Sequence, residues 1–143
     1  MNTKTFFKFL AAVIITGSVL VNAAVDDNFE MLTIGVGARP FGMGGTYAAI
    51  ANDVNAVYWN PGGLGFLERK ELTGMYSQYF NYEYAAYVHP VENLGTFGLS
   101  GYYYQYSRIP PQYSDIYDYA VMMSFGKGIK DELSIGASMK FLR

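Results

Sequence analysis

The chain has 143 residues, 51% of them hydrophobic, 17% aromatic and 15% charged, with a formal net charge of −2, enough apolar mass for one domain with a core. No basic patch points to nucleic acid, and the absence of cysteine excludes disulfides and thiolate metal sites. Sparse charge beside 14 tyrosines suits a tyrosine-rich wall better than a highly solvated surface.

The chain opens on a basic stretch, Met1 to Lys8, followed by an apolar run from Phe9 to Leu20 and a small-residue site at Val21-Asn22-Ala23, before Ala24. That order predicts a secretory signal peptide over residues 1–23, cleaved between Ala23 and Ala24. A membrane anchor needs about 20 apolar residues, and Thr16, Gly17, Ser18 and Asn22 interrupt this run. No cysteine follows the site, which excludes a lipoprotein.

Residues 24–70 form the next unit. Gly35, Gly37, Gly42, Gly44 and Gly45 allow positive φ and close packing. A phosphate loop is excluded by spacing, because Pro40 stands where a third dinucleotide glycine would fall and no Gly-Lys-Ser/Thr follows. Beyond Gly45, apolar residues recur at Tyr47, Ile50, Ala51, Val54, Val57 and Tyr58 with helical spacing, so one face is buried. Asn52, Asp53 and Asn55 are poor helix formers that split the stretch into two short pieces, and Pro61 stops it after Asn60.

Several short motifs occur here in a fixed order: Gly37-Ala38-Arg39, Gly42-Met43-Gly44-Gly45, Ala51 to Asp53, and Trp59-Asn60-Pro61-Gly62-Gly63-Leu64. The string resembles the plug of bacterial outer-membrane barrels of the FadL-type fatty-acid-transporter superfamily, most closely its PorV/PorQ-like branch. Gly62 and Val54 depart from that pattern, which usually carries Ala after Asn-Pro and a second Asp. The resemblance implies a plug inside a barrel mouth. Arg39 and Asp53 would then pair with each other or with wall residues, against the alternative of solvation at a surface. Met43 reads as packing, and Trp59 as a packing anchor or the lining of a hydrophobic path.

Residues 71–143 change to a period of two and give five expected strands. The first covers about Glu71 to Phe80 and alternates imperfectly. In the second, Tyr82, Tyr84, Ala86 and Val88 oppose Glu83, Ala85, Tyr87 and His89. In the third, Phe97, Leu99, Gly101 and Tyr103 oppose Thr96, Gly98, Ser100, Tyr102 and Tyr104. The fourth sets Tyr117, Tyr119, Val121, Met123 and Phe125 against Asp118, Ala120, Met122 and Ser124. The fifth sets Leu133, Ile135, Ala137, Met139 and Phe141 against Ser134, Gly136, Ser138 and Lys140. One face is apolar and the other small or polar. The expected lengths, about 9 to 11 residues, match what a tilted strand needs to cross a bilayer.

Most tyrosines cluster at the Phe80-Asn81 and Tyr106–Ser114 connections, whereas Pro90–Gly95 and Gly126–Glu132 carry no aromatic. Connections in an up-and-down sheet alternate between its ends, so one end is ringed with tyrosine. An interfacial girdle of Tyr79, Tyr82, Tyr84, Tyr103, Tyr117 and Tyr119 is expected there, with that end extracellular and the Gly-Lys-Asp turns periplasmic.

His89 stands alone, the carboxylates are scattered, and Ser100, Ser124, Ser134 and Ser138 lack a nucleophile elbow or a partner base. No enzyme, metal or cofactor is expected. The expected fold class is therefore all-β: an antiparallel transmembrane barrel, incomplete at about five N-terminal strands and preceded by a short helical plug. Closure in lipid takes at least about eight strands, and the resemblance implies about fourteen, in the usual even-numbered range. The chain thus reads as an N-terminal portion of such a barrel. The resemblance implies outer-membrane lipid as surroundings, and hydrophobic small molecules or proteins of type IX secretion as partners. A soluble exported β-sandwich acting as a binding or adhesion module shows the same alternation and remains the alternative.

Overall fold

The computed structural model describes residues 31–79, 81–107 and 115–143. The expected leader with its Ala23–Ala24 cleavage site, and residues 108–114 of the long connection, lie outside the described residues.

Five strands form one antiparallel meander: β1 (Glu71–Ser77), β2 (Tyr82–Val91), β3 (Gly95–Ser107), β4 (Asp115–Lys130) and β5 (Leu133–Leu142), in the order β1-β2-β3-β4-β5. The sheet is open, with β1 and β5 as its edges. Two boundaries differ from expectation. β1 ends at Ser77 rather than near Phe80, because the chain turns at Gln78 and Tyr79 and Asn81 takes a left-handed φ of 47°. β4 runs on to Lys130 instead of breaking at Gly126, and the turn shrinks to Asp131-Glu132. Pairing decides this second case: Gly126 faces Gly136, Lys127 faces Ile135 and Gly128 faces Ser134, with an irregularity between Gly128 and Lys130. β3 and β4 are consequently longer than expected, at 13 and 16 residues.

Before the sheet runs a chain of short helices: α1 (Met31–Ile34), α2 (Ala38–Gly42), a 3-10 turn (Thr46–Ala49), α3 (Ala56–Trp59) and a 3-10 helix (Pro61–Phe66). The expected split at Asn52–Asn55 is present. Tyr47, Ala51, Val54 and Val57 of the helical stripe are buried, while Ile50 is exposed.

This helical segment lies against one face of the sheet, and its Val36, Tyr47, Ala51, Val57 and Leu64 share a core with Tyr82, Tyr84, Ala86, Val88, Tyr102, Ala120 and Met122. The register makes that covered face continuous, since Val88 pairs with Gly98, Gly98 with Ser124, and Ser124 with Ser138. The covered face mixes this apolar core with buried polar residues, while the other face is apolar and open. Thr96, Ser100, Asp118 and Ser124 are buried at 2%, 3%, 7% and 5% exposure, whereas Leu99, Met123, Met139 and Phe141 on the other face are 52%, 56%, 61% and 54% exposed.

Candidate functional site

The chemistry-bearing residues collect where the helical segment meets the covered face. Asp53 is the hub of the segment. Its Oδ2 pairs with Arg39 Nη1 at 2.7 Å, and its Oδ1 accepts from the Tyr47 hydroxyl at 2.7 Å and from the backbone N–H and Nδ2 of Asn55 at 2.8 Å each. Arg39 Nη1 also donates to Asn52 Oδ1 at 2.7 Å, and its guanidinium lies 5.6 Å from the Tyr47 ring centre. The poor helix formers here bond locally instead of continuing a helix: Asp53 accepts from the Asn55 backbone, and Asn52 and Asn55 bond neighbouring side chains. Burial pushes the Asp53 carboxyl up, but the bonds from Tyr47, Asn55 and Arg39 outweigh it and hold the group below its ordinary value. Tyr47 is shifted upward, by burial first and by its bond to Asp53 second.

Around this hub, Gly44 and Gly45 take φ of 60° and 80° in succession, a left-handed pair that only glycine adopts cheaply. Gly37, at a φ of 90°, is required twice over, since a methyl there would also strike the Asn55 side chain. Ala38 begins α2, exposed, and Met43 packs on the core as expected. Nothing near Gly42 demands glycine. Trp59 donates through Nε1 to the Val36 carbonyl at 2.9 Å and meets Tyr58 and Tyr47 edge-on, at ring separations of 5.5 and 6.3 Å. Its contacts are those of a packing anchor that closes the segment on itself. Asn60 holds the following 3-10 helix: its Oδ1 accepts from the Gly62 N–H at 3.1 Å, its Nδ2 donates to the Ala48 carbonyl at 3.0 Å, and Pro61 occupies the first helical position, where no N–H is needed.

That 3-10 helix seats on β4 and β5. Methyl groups built at Gly126 or Gly136 would overlap Pro61, and one at Gly65 would overlap Ser134 and the backbone at Lys127 and Gly128. Glycine on both sides therefore lets backbone lie on backbone. Four polar bonds tie the wider segment to the sheet: Val54 N–H to Glu71 Oε2 at 2.9 Å, Ser124 Oγ to the Val57 carbonyl at 2.9 Å, Thr96 Oγ1 to the Leu67 carbonyl at 3.4 Å, and, within the 3-10 helix itself, Ser134 Oγ to the Gly62 carbonyl. Lys140 reaches in from β5 and sets its amine 4.9 Å from the Tyr58 ring centre.

The structure brings Arg39, Asp53, Trp59, Asn60, Pro61 and Gly62 into this one assembly. It divides the expected tyrosine girdle. Tyr79, Tyr103, Tyr117 and Tyr119 are exposed, and Tyr103 stacks on Tyr117 at 6.2 Å. Tyr82 and Tyr84 are a correction: they point to the covered face and are buried at 0% and 3% exposure, because Tyr84 shares its register row with Met75, Tyr102 and Ala120. Sequence reasoning did not single out Glu71 or Asp118, nor the wall glycines Gly126 and Gly136. For Asp118 and Gly136 the available signal was their position on the small or polar side of their strands. No family model, no curated protein and no solved structure matches the chain.

Proposed function

We propose that the chain is the plug and first wall strands of an outer-membrane β-barrel, serving passage of hydrophobic compounds or support of protein secretion, as its resemblance to the PorV/PorQ-like branch suggests. The observation that carries this reading is the exposed apolar face of the sheet, opposite a covered face that includes buried polar side chains. A wall between lipid and a polar interior needs apolar side chains outward and small or polar ones inward. Here Leu72, Leu99, Val121, Met123, Met139 and Phe141 form an exposed apolar field, while Thr96, Ser100, Asp118 and Ser124 turn inward under the helical segment.

The field has borders. Toward one end, Tyr76, Glu83, Tyr103, Tyr119 and Arg143 form a register row of amphipathic or charged side chains. Toward the other, Lys127 follows Phe125 on β4. Tyr119 to Lys127 spans about 27 Å along the strand at about 3.4 Å per residue, and the usual tilt of about 35–45° leaves about 19–22 Å of height, somewhat less than an outer-membrane apolar band of about 25 Å. In a β-sandwich a second sheet would cover the same field and bury this row of tyrosine hydroxyls; at a lipid interface they reach headgroups and water. The described residues hold no helix long and apolar enough to cross a membrane, which bears on helical crossing alone. Sodium carbonate extraction of cell envelopes tests the proposal. Retention in the outer-membrane pellet is expected, and release into the supernatant would replace the barrel with the exported sandwich.

A further inference from the structure

On the covered face the buried hydroxyls of Tyr84 and Ser100 have only each other as partners, and the Tyr102 hydroxyl and Oδ2 of Asp118 have none. The residues are 3%, 3%, 3% and 7% exposed, so water does not freely reach them. Leaving such groups unsatisfied costs about 1 to 3 kcal/mol each, and more for a carboxylate. Their placement is not scattered. Tyr84 pairs with Tyr102, and the neighbouring row pairs Tyr82 with Tyr104 and Tyr104 with Asp118. Two adjacent rows thus present a two-by-two block of tyrosines with a carboxylate at its corner, and Ser100 lies one inward position further along β3. The Tyr82 and Tyr102 rings are 5.4 Å apart and tilted by 44°, with the Tyr82 hydroxyl turned onto Met75 Sδ at 3.2 Å.

Among the described residues no basic side chain answers Asp118. Among the described residues the ion pairs are Arg39–Asp53 and Arg69–Glu71, and the inward amine of Lys140 is placed over Tyr58. A negative group beside several aromatic faces, screened from water, is the chemistry that holds an organic cation: the carboxylate supplies charge, the ring faces supply cation–π attraction, and both strengthen when desolvated.

We infer that the tyrosine block and Asp118 form a binding site for an organic ammonium ion on the covered face of the sheet. The positive head sits against Asp118 and the ring of Tyr102, and the Tyr84 and Ser100 hydroxyls take polar groups carried further along the same ligand. The site concerns the inner side of the sheet alone, and it holds whether the outer side meets lipid or protein. It therefore stands or falls separately from the barrel reading.

Equilibrium dialysis of the purified protein against tritiated choline tests it, with the neutral tert-butyl isostere as competitor. Choline is expected to bind saturably and to be preferred about tenfold or more, since the isostere lacks the charge on which both attractions act. Asp118→Asn should abolish that preference, Tyr102→Leu should weaken choline several-fold, and Glu83→Gln on the opposite face should change nothing. Absence of saturable binding, equal affinity for the isostere, or full choline affinity in Asp118→Asn each overturns the inference. Should Asp118→Asn fail to fold, the wild-type preference and Tyr102→Leu still decide it.

Discussion

Ser124 on β4 donates its hydroxyl proton to the carbonyl of Val57 on α3 at 2.9 Å, joining two residues 67 positions apart. Ser124 Oγ also lies 2.7 Å from Ser138 Oγ. A hydroxyl has one proton to give, so Ser138 is the donor of that second bond and the pair forms a relay from β5 through β4 to the helical segment. Ser124→Ala should lower stability by about 1 kcal/mol or somewhat more, because a buried carbonyl loses its partner. Ser138→Ala should cost less, since the Ser124–Val57 bond survives. Urea unfolding midpoints rank the two.

The Pro61–Phe66 helix rests on glycine. Gly136→Ala drives a methyl into the Pro61–Gly62 peptide, with backbone rather than a yielding side chain in the way, and overpacking of that kind costs about 1 to 3 kcal/mol. Gly101→Ala, on the opposite face with nothing within 4 Å, should be neutral or stabilising by up to about 1 kcal/mol. Thermal unfolding of the two variants separates close approach from mere glycine content. Equal effects would remove the interlock.

Asp53 gives the helical segment an acid limit. Its carboxylate is held below the ordinary value of 3.8, so the folded protein takes up this proton less readily than the unfolded chain. The resulting stabilisation is fully present above that ordinary value and is lost as pH falls through the folded value. Wild-type stability should therefore decline on acidification below about pH 4, and Asp53→Asn should flatten this part of the profile. At neutral pH the same variant should be less stable by about 1 to 3 kcal/mol, as the hydroxyl of Tyr47 and the N–H groups of Asn55 lose a charged acceptor. Unfolding midpoints measured from pH 7 to pH 3 check both.

What could be read in the chain follows from how local each cause is. The break at Asn52–Asn55, the stop at Pro61 and the five alternating strands depend on neighbours within a few residues, and the structure has them. The run Gly126-Lys127-Gly128 looks like a turn because glycine and lysine are turn-rich, yet its glycines serve a backbone that arrives from Pro61 and Gly65. Only the tertiary seat explains them. Tyr82 and Tyr84 mislead for a related reason: tyrosine density marks an end of the sheet, whereas the side each ring takes is set by register with Tyr102 and Tyr104. The Arg39–Asp53 pair was one of the expected arrangements for the two charges, but the convergence of Tyr47, Asn52 and Asn55 on it depends on the turn that only the folded segment makes.

Contact between the exposed apolar field of the sheet and lipid is directly measurable, because the chain has no cysteine to compete with an introduced one. A single nitroxide attached at Leu99→Cys, in carbonate-washed membranes, reports collision with oxygen, which dissolves in hydrocarbon, and with a water-soluble nickel chelate. High oxygen and negligible nickel accessibility are predicted at Leu99, with nickel contact appearing for a label at Glu92. Strong nickel accessibility at Leu99 would contradict lipid contact, and so would shielding from both reagents, the first pointing to water over the field and the second to a covering protein layer.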